Sequence, residues 1–191
     1  MNDMEILDLM KELGALKQGH FQLSSGRHSD AYFQCAQILQ FPDLALEVGR
    51  RIASRVDADN IDVVVSPALG AVLLGHEVAR ALGRRFIFTE RKDGVMAMRR
   101  GFAFEEGEKV LIVEDVVTRG TSTREVANII ESGGGVVTAV ACLIDRTDAS
   151  VALPAAMTSL AKVEVVTWGP EECPLCAKGE AVDQPGSRGP R

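Results

Sequence analysis

Three stretches of this chain repeat one order: an apolar run rich in β-branched residues, a short loop of small or polar residues, then a helical pattern. The first run is Ile61-Asp62-Val63-Val64-Val65, followed by Ser66-Pro67-Ala68-Leu69-Gly70-Ala71 and a helix to about Leu82, where Gly83 is a natural stop. The second is Lys109-Val110-Leu111-Ile112-Val113, followed by residues 114–121, and the third runs from Val136 to Ile144 and ends at Asp145-Arg146. Runs of this kind, without polar alternation, form strands buried on both faces. Strands alternating with helices then restrict the chain to an α/β fold with a mostly parallel sheet, right-handed crossovers and flanking helices.

The spacing predicts further elements. Ser122 and Glu125 stand as in a capping box, Val126, Ile129 and Ile130 make an apolar stripe, and Gly133-Gly134-Gly135 ends that helix. Another helix starts near Pro42 with Leu44, Val48, Ile52 and Val56 on one face, and residues 3–13 read as a short amphipathic helix. Phe86-Ile87-Phe88 and Val163-Glu164-Val165-Val166 are further strand candidates, and the Gly- and Pro-rich end from Lys178 to Arg191 reads as a flexible tail.

At 191 residues the chain suits one domain, with a core large enough to need no disulfide. The net charge of −6 argues against a general nucleic-acid binder, though local arginines and backbone N–H groups can still hold a small anion. No apolar run approaches the ~20 residues of a membrane span, and Met1–Met10 has acidic residues but no basic one, unlike a secretory signal. The expectation is therefore a cytoplasmic protein whose four cysteines, Cys35, Cys142, Cys173 and Cys176, are reduced.

The chemistry concentrates in Val110-Leu111-Ile112-Val113-Glu114-Asp115-Val116-Val117-Thr118-Arg119-Gly120-Thr121-Ser122. A buried strand delivers two adjacent carboxylates to its C-terminal end, and a loop of Thr, Gly, Thr and Ser opens onto a helix N-terminus. Ligands of open α/β sheets bind at such strand ends. Loop amides, hydroxyls and the helix dipole make a phosphate cradle. Acids beside a phosphate site make sense if they hold sugar hydroxyls, or if Mg²⁺ bridges them to the ligand. The segment lacks the GxxxxGK[ST] lysine and the GxGxxG fingerprint. A strand, a turn and a capped helix without function would show part of the same pattern.

This string resembles the phosphoribosyl-diphosphate (PRPP) signature of type I phosphoribosyltransferases. The resemblance implies that family's fold: a mostly parallel sheet with flanking helices and a small hood, here built mainly from residues 1–40 and a C-terminal segment of a single domain spanning 1–177. It implies that Glu114 and Asp115 contact ribose hydroxyls, that the 5-phosphate sits against Thr118, Arg119, Gly120, Thr121 and Ser122, and that Val116 and Val117 also belong to the PRPP site. Residues 14–33 are similar to the opening of orotate phosphoribosyltransferases, whose Ser-Gly-Arg turn (Ser25, Gly26, Arg27) and aromatic pair (Tyr32, Phe33) line the pyrimidine pocket. On physical grounds Ser25 and Gly26 can offer N–H groups to a carboxylate, and an aromatic ring can stack on orotate, although two core aromatics in a β-hairpin would look the same. Arg146 matches a family arginine facing orotate, and a guanidinium fork suits a carboxylate. The alternative for Arg146 is an ion pair with Asp145 or Asp148.

Ala68, Leu69 and Gly70 match the family's diphosphate loop, and residues 89–102 resemble its mobile catalytic loop, with Arg91 and Lys92 as the catalytic cations beside Arg99 and Arg100. Thr118 is expected near both substrates. The resemblance further implies Mg²⁺ carried mainly by PRPP, with no protein metal ligands, and a homodimer in which loop 91–100 reaches the partner's site. The chain departs from better-known members at Ser24 and near Val95, where they carry lysines, and at Arg119, where a small residue is usual. Arg119 either adds phosphate contacts or faces solvent. Cys173-Pro174-Leu175-Cys176 is a lone CxxC, a weak metal signal because zinc needs two more ligands, and His20, His28 and His76 are not spaced as obvious partners, so ordinary thiols are expected. Two competing functions remain: a purine or xanthine phosphoribosyltransferase, and a non-catalytic PRPP-binding regulator.

Overall fold

A computed structural model describes residues 3–23 and 25–185; residues 1–2, Ser24 and residues 186–191 lie outside it. In chain order the elements are α1 (Asp3–Glu12), β1 (Leu16–Gln22), β2 (His28–Phe33), α2 (Ala36–Leu39), α3 (Pro42–Ala53), β3 (Val63–Pro67), α4 (Val72–Leu82), β4 (Arg85–Lys92), β5 (Val95–Met98), β6 (Lys109–Val117), α5 (Thr121–Ser132), β7 (Val136–Asp145), β8 (Met157–Lys162), β9 (Thr167–Trp168) and α6 (Pro174–Ala177). Six strands form one sheet in the order β5-β4-β3-β6-β7-β8, parallel except for β5. The N-terminal hairpin β1-β2 and β9 form a separate antiparallel sheet.

The three apolar runs lie in the middle of the large sheet, and their period of two divides the core. Val64, Leu111 and Val113 face Ile6, Met10, Val48, Ile52, Leu74 and Val78 on α1, α3 and α4. Val63, Val65, Val110 and Ile112 face Val126 and Ile130 on α5. Each fully buried Val, Leu or Ile contributes about 1.5–3 kcal/mol, so continuous apolar strands are what a sheet covered on both sides requires.

The chain leaves β3 towards β4 and leaves β6 in the opposite direction, towards β7 and β8. The strand order therefore reverses between β3 and β6, where open sheets form their binding crevice. Pairing between these two strands runs from Val63–Val110 to Val65–Ile112. Both strands continue beyond it, so the sheet parts at its C-terminal edge.

Several local expectations differ from the structure. The α5 helix starts at Thr121 with Gly120 at φ +64° as its cap and no side-chain capping bond, so Ser122 and Glu125 form no capping box; Glu125 pairs with Arg91 instead. Val163–Val166 is not a strand. Val163 and Val165 pack on the core, which gives the alternation, but the segment is the passage from β8 to the small sheet. Within residues 89–102, Thr89–Lys92 and Val95–Met98 pair as the β4-β5 hairpin, turning at Asp93-Gly94, both at positive φ. The expected flexible tail is described only as far as residue 185, the rest lying outside the described residues; within that stretch Asp183 donates its N–H to His20 O at 2.8 Å, and its carbonyl accepts from Gln22 N at 2.8 Å.

Candidate active site

Glu114 and Asp115 lie within β6, so the pleat sends them to opposite faces. Their surroundings agree. Asp115 is on the α3/α4 side, where the Cys35 thiol lies 3.9 Å from its carbonyl oxygen. A Cβ added to Gly70 would stand 2.6 Å from Asp115 Oδ2, so only glycine lets the 68–71 loop come this close. Glu114 is on the α5 side, within the field of Arg91, and Arg91 forks onto Glu125 of α5 and donates to Gly94 O at 2.9 Å.

Burial, with the Asp115 charge second, holds the Glu114 carboxyl well above the ordinary carboxylate range, and Arg91 only partly opposes this. Burial also raises Asp115, against the pull of the Val116 N–H, which donates to Oδ1 at 2.9 Å. Burial first, then the Asp115 charge, raises the Tyr32 hydroxyl. The aromatic end of β2 thus faces the acid-bearing end of β6.

After Val117 the chain forms a short open loop. Thr118, Arg119 and Thr121 are exposed and Gly120 is buried. Gly120 is needed twice over: its φ is left-handed, and a Cβ would meet Leu153 Cδ2 at 2.5 Å. The N–H groups of the first turn of α5 have no intrahelical acceptors and point towards this loop. Arg119 faces solvent in the field of Asp148.

Arg146 stands beside the same strand end, its N–H donating to Val117 O at 2.8 Å. Its guanidinium lies over the Phe33 ring at 5.3 Å. Neither of the two acids weighed as its surface partners holds it. Asp145 accepts from Thr147 N and Oγ1, each at 2.7 Å, and faces Lys162; Asp148 accepts from Ser150 N at 2.8 Å. Arg146 Nε is buried without a hydrogen-bond partner. Desolvation lowers its basicity, and the Asp30 charge partly restores it.

The structure thus brings Gly70, Asp115, Tyr32, Phe33 and Arg146 around one strand end, with Thr118–Ser122 at its continuation and Glu114 and Arg91 behind it. Lys92 is exposed near the hairpin turn, while Arg99 and Arg100 pair with Glu90 at 3.3 and 3.1 Å. One sequence expectation changes in detail. Ser66 is fully buried in β3, which leaves Ala68–Gly70, with a cis Ala68–Leu69 peptide, as the open part of its loop. The Gly26 N–H donates to Leu23 O at 2.9 Å and closes the turn. The Arg27 guanidinium ties this turn to β9 through Thr167 Oγ1 at 3.0 Å and Thr167 O at 2.6 Å. Sequence reasoning missed Glu125, which holds Arg91. The residues are 34 apart in sequence, and no local spacing marks the pair.

The fold is that of the type I phosphoribosyltransferases, and the profile of the phosphoribosyl transferase domain matches residues 34–172. The crystal structure of orotate phosphoribosyltransferase from Aeropyrum pernix superposes with a TM-score of 0.70 at 24% identity, covering 83% of this chain and 93% of that one. The orotate phosphoribosyltransferase of Caldicellulosiruptor bescii is 49% identical over 98% of this chain and 99% of its own length. That of Chlorobium phaeobacteroides is 46% identical over 98% and 97%. The chain belongs to the orotate phosphoribosyltransferase family.

Proposed function

We propose that this chain transfers the phosphoribosyl group of PRPP to orotate, giving orotidine 5-monophosphate and diphosphate on the route to UMP. The observation that carries the reading is the crevice at the β3/β6 reversal. There the Asp115 carboxylate abuts the Gly70 loop, and Arg146 hydrogen-bonds to the end of the same strand.

In this reading the 5-phosphate lies against Thr118–Ser122, taking amides and hydroxyls at the start of α5. Asp115 and Glu114, approaching from the two sides of β6, hold ribose hydroxyls and face the positive charge that develops on the sugar. Orotate stacks by the Tyr32–Phe33 end of β2, and the Arg146 guanidinium, which lacks a carboxylate partner of its own, takes the orotate carboxylate. Diphosphate departs past Ala68–Gly70 towards Arg91 and Lys92. Positioning and fixed charges supply the rate, with no covalent enzyme intermediate.

Mg²⁺ fits this residue set: two buried acids whose basicity is raised, with Arg91 as the countercharge acting on Glu114, suit a ligand that brings its own cation. Glu114 and Asp115 would meet the ion through the ribose oxygens, and the chemistry it supplies is neutralisation of the leaving diphosphate. We extend the proposal to a cytoplasmic homodimer whose β4-β5 hairpins reach the partner's crevice; among the described residues no helix is long and apolar enough to cross a membrane.

The test mixes protein, PRPP, Mg²⁺ and orotate and follows the loss of orotate absorbance. Adenine, guanine and xanthine serve as competing acceptors, and Asp115→Asn as the disabled variant. Transfer to a purine base in preference to orotate, or full turnover by Asp115→Asn, would overturn the assignment.

A further inference from the structure

Away from the crevice, four metal-ligating side chains converge where the small sheet meets the C-terminal segment. His20 comes from β1, His28 from β2, Cys173 from the turn before α6 and Cys176 from α6 itself. One ligand atom from each lies within 4.8 Å of all the others. His20 Nε2 is 2.8 Å from His28 Nδ1, 3.4 Å from Cys173 Sγ and 3.6 Å from Cys176 Sγ, and Cys176 Sγ is 3.2 Å from His28 Nδ1.

Hydrogen bonding alone does not account for this. The Glu180 carbonyl lies 2.9 Å from His20 Nδ1 and can only accept, so Nδ1 carries the proton and Nε2 presents a bare lone pair. Three groups then crowd that single lone pair, which can take one donor. A cation at their centre would give each of the four atoms a partner. Tetrahedral zinc, with bonds of about 2.3 Å to sulfur and about 2.0–2.1 Å to nitrogen, sets its ligand atoms roughly 3.4–3.8 Å apart; the His20 distances to Cys173 and Cys176, 3.4 and 3.6 Å, match this, and the 2.8 and 3.2 Å contacts to His28 need only a small outward shift to reach it. The His20–Glu180 contact is also the usual outer partner of a metal-bound imidazole, fixing tautomer and ring orientation.

We propose that His20, His28, Cys173 and Cys176 form a structural Cys₂His₂ zinc site. Binding displaces one proton from each thiol and leaves a neutral centre: one divalent cation, two thiolates and two neutral imidazoles. Cys173, His20 and His28 are nearly inaccessible, and Cys176 completes the set from the exposed edge of the cluster. The site clasps the β1-β2 hairpin to the segment after β9, joining ligands up to 156 residues apart. It works alongside the His28–Trp168 strand pairing and the Asp183 bridge to Phe21. The Ser25–Arg27 turn rides on that hairpin, so the ion braces the hood while standing outside the transfer chemistry.

The test needs no substrate. Full-length protein, purified with reductant and dialysed against zinc-free buffer, is assayed for metal. One zinc per chain is expected, together with protection of Cys173 and Cys176 from thiol reagents until a strong chelator is added. Cobalt(II) exchanged into the site should show the intense visible absorption of tetrahedral coordination with thiolate charge-transfer bands. The Cys173→Ser/Cys176→Ser double variant should lose the metal. His76→Ala, at an exposed histidine paired with Glu77, should keep it. Reduced wild-type protein that takes up neither zinc nor cobalt, or in which both thiols react equally fast with and without zinc, would overturn the proposal. Because the readouts use the folded wild-type chain, they stand even if the double variant fails to fold.

Discussion

Replacing Arg146 by methionine separates binding from stability, because its guanidinium is held at a cost. The side chain lies 5.3 Å over Phe33, with Nε buried and unpartnered. Leaving such a donor unsatisfied costs about 1–3 kcal/mol. The cation–π contact returns about 0.5–1 kcal/mol. A thioether over the same ring recovers about 0.3–1.5 kcal/mol. The net change is a gain of roughly 2 kcal/mol, or a rise of about 4–8 °C in the Tm of the ligand-free protein. Loss of a charge-assisted fork to the orotate carboxylate costs about 3 kcal/mol, so kcat/KM for orotate falls about 10²-fold. PRPP, which Arg146 does not touch in the proposed arrangement, should raise the Tm of variant and wild type equally. Differential scanning calorimetry and steady-state kinetics on both proteins decide it. A Tm several degrees below wild type, or an unchanged kcat/KM, would refute the reasoning, because Arg146 would then be a structural group.

Three further outcomes follow from the same geometry. Gly70→Ala places a Cβ 2.6 Å from Asp115 Oδ2 and displaces the carboxylate; kcat/KM for PRPP should drop about 10-fold or more with a Tm within a few degrees of wild type, and normal kinetics would show that the loop is free to give way. Glu114 binds its proton more tightly folded than unfolded, so the stability this contributes is complete below the unfolded value of about 4.3 and is lost as pH rises towards the raised folded value. Urea titrations of the ligand-free protein from acid to alkaline pH should therefore show Glu114→Gln gaining on wild type as pH rises; parallel profiles would contradict the assigned burial. In double-mutant cycles on stability, Glu114→Gln should couple to Arg91→Met by about 0.5 kcal/mol or more, while Asp115→Asn with Arg91→Met should be additive; equal coupling would mean that the two acids share one face.

What was legible in the sequence was local. The inner strands are marked by uninterrupted β-branched runs, α4 by its periodicity and the glycine after it, and the acid pair by its place between a buried strand and a small-residue loop. What was not legible depends on which distant segments meet. Glu125 reads as a capping partner of Ser122 because i and i+3 are neighbours on any helix, yet Gly120 already turns the chain into α5 and frees Glu125 for Arg91. Val163–Val166 alternates like a strand because Val163 and Val165 pack inward while Val166 is exposed, but strand formation also needs a neighbour to hydrogen-bond with along its length. His20 and His28 carry no metal-ligand spacing with respect to Cys173, because the meeting of β1, β2 and α6 is a property of the tertiary fold.

The acid pair shows how far a local reading carries and where it stops. Adjacent carboxylates suggest a pincer, whereas a strand is a device for separating neighbours. As long as β6 keeps its pleat to Val117, Asp115 must join the Gly70 loop and the aromatic end of β2, and Glu114 must join Arg91 and α5. One residue then answers to the fold around the hood and the other to the hairpin that carries Lys92. In the proposed arrangement a sugar laid across the end of β6 meets both, so the strand is the element that links the acceptor side of the crevice to the leaving-group side.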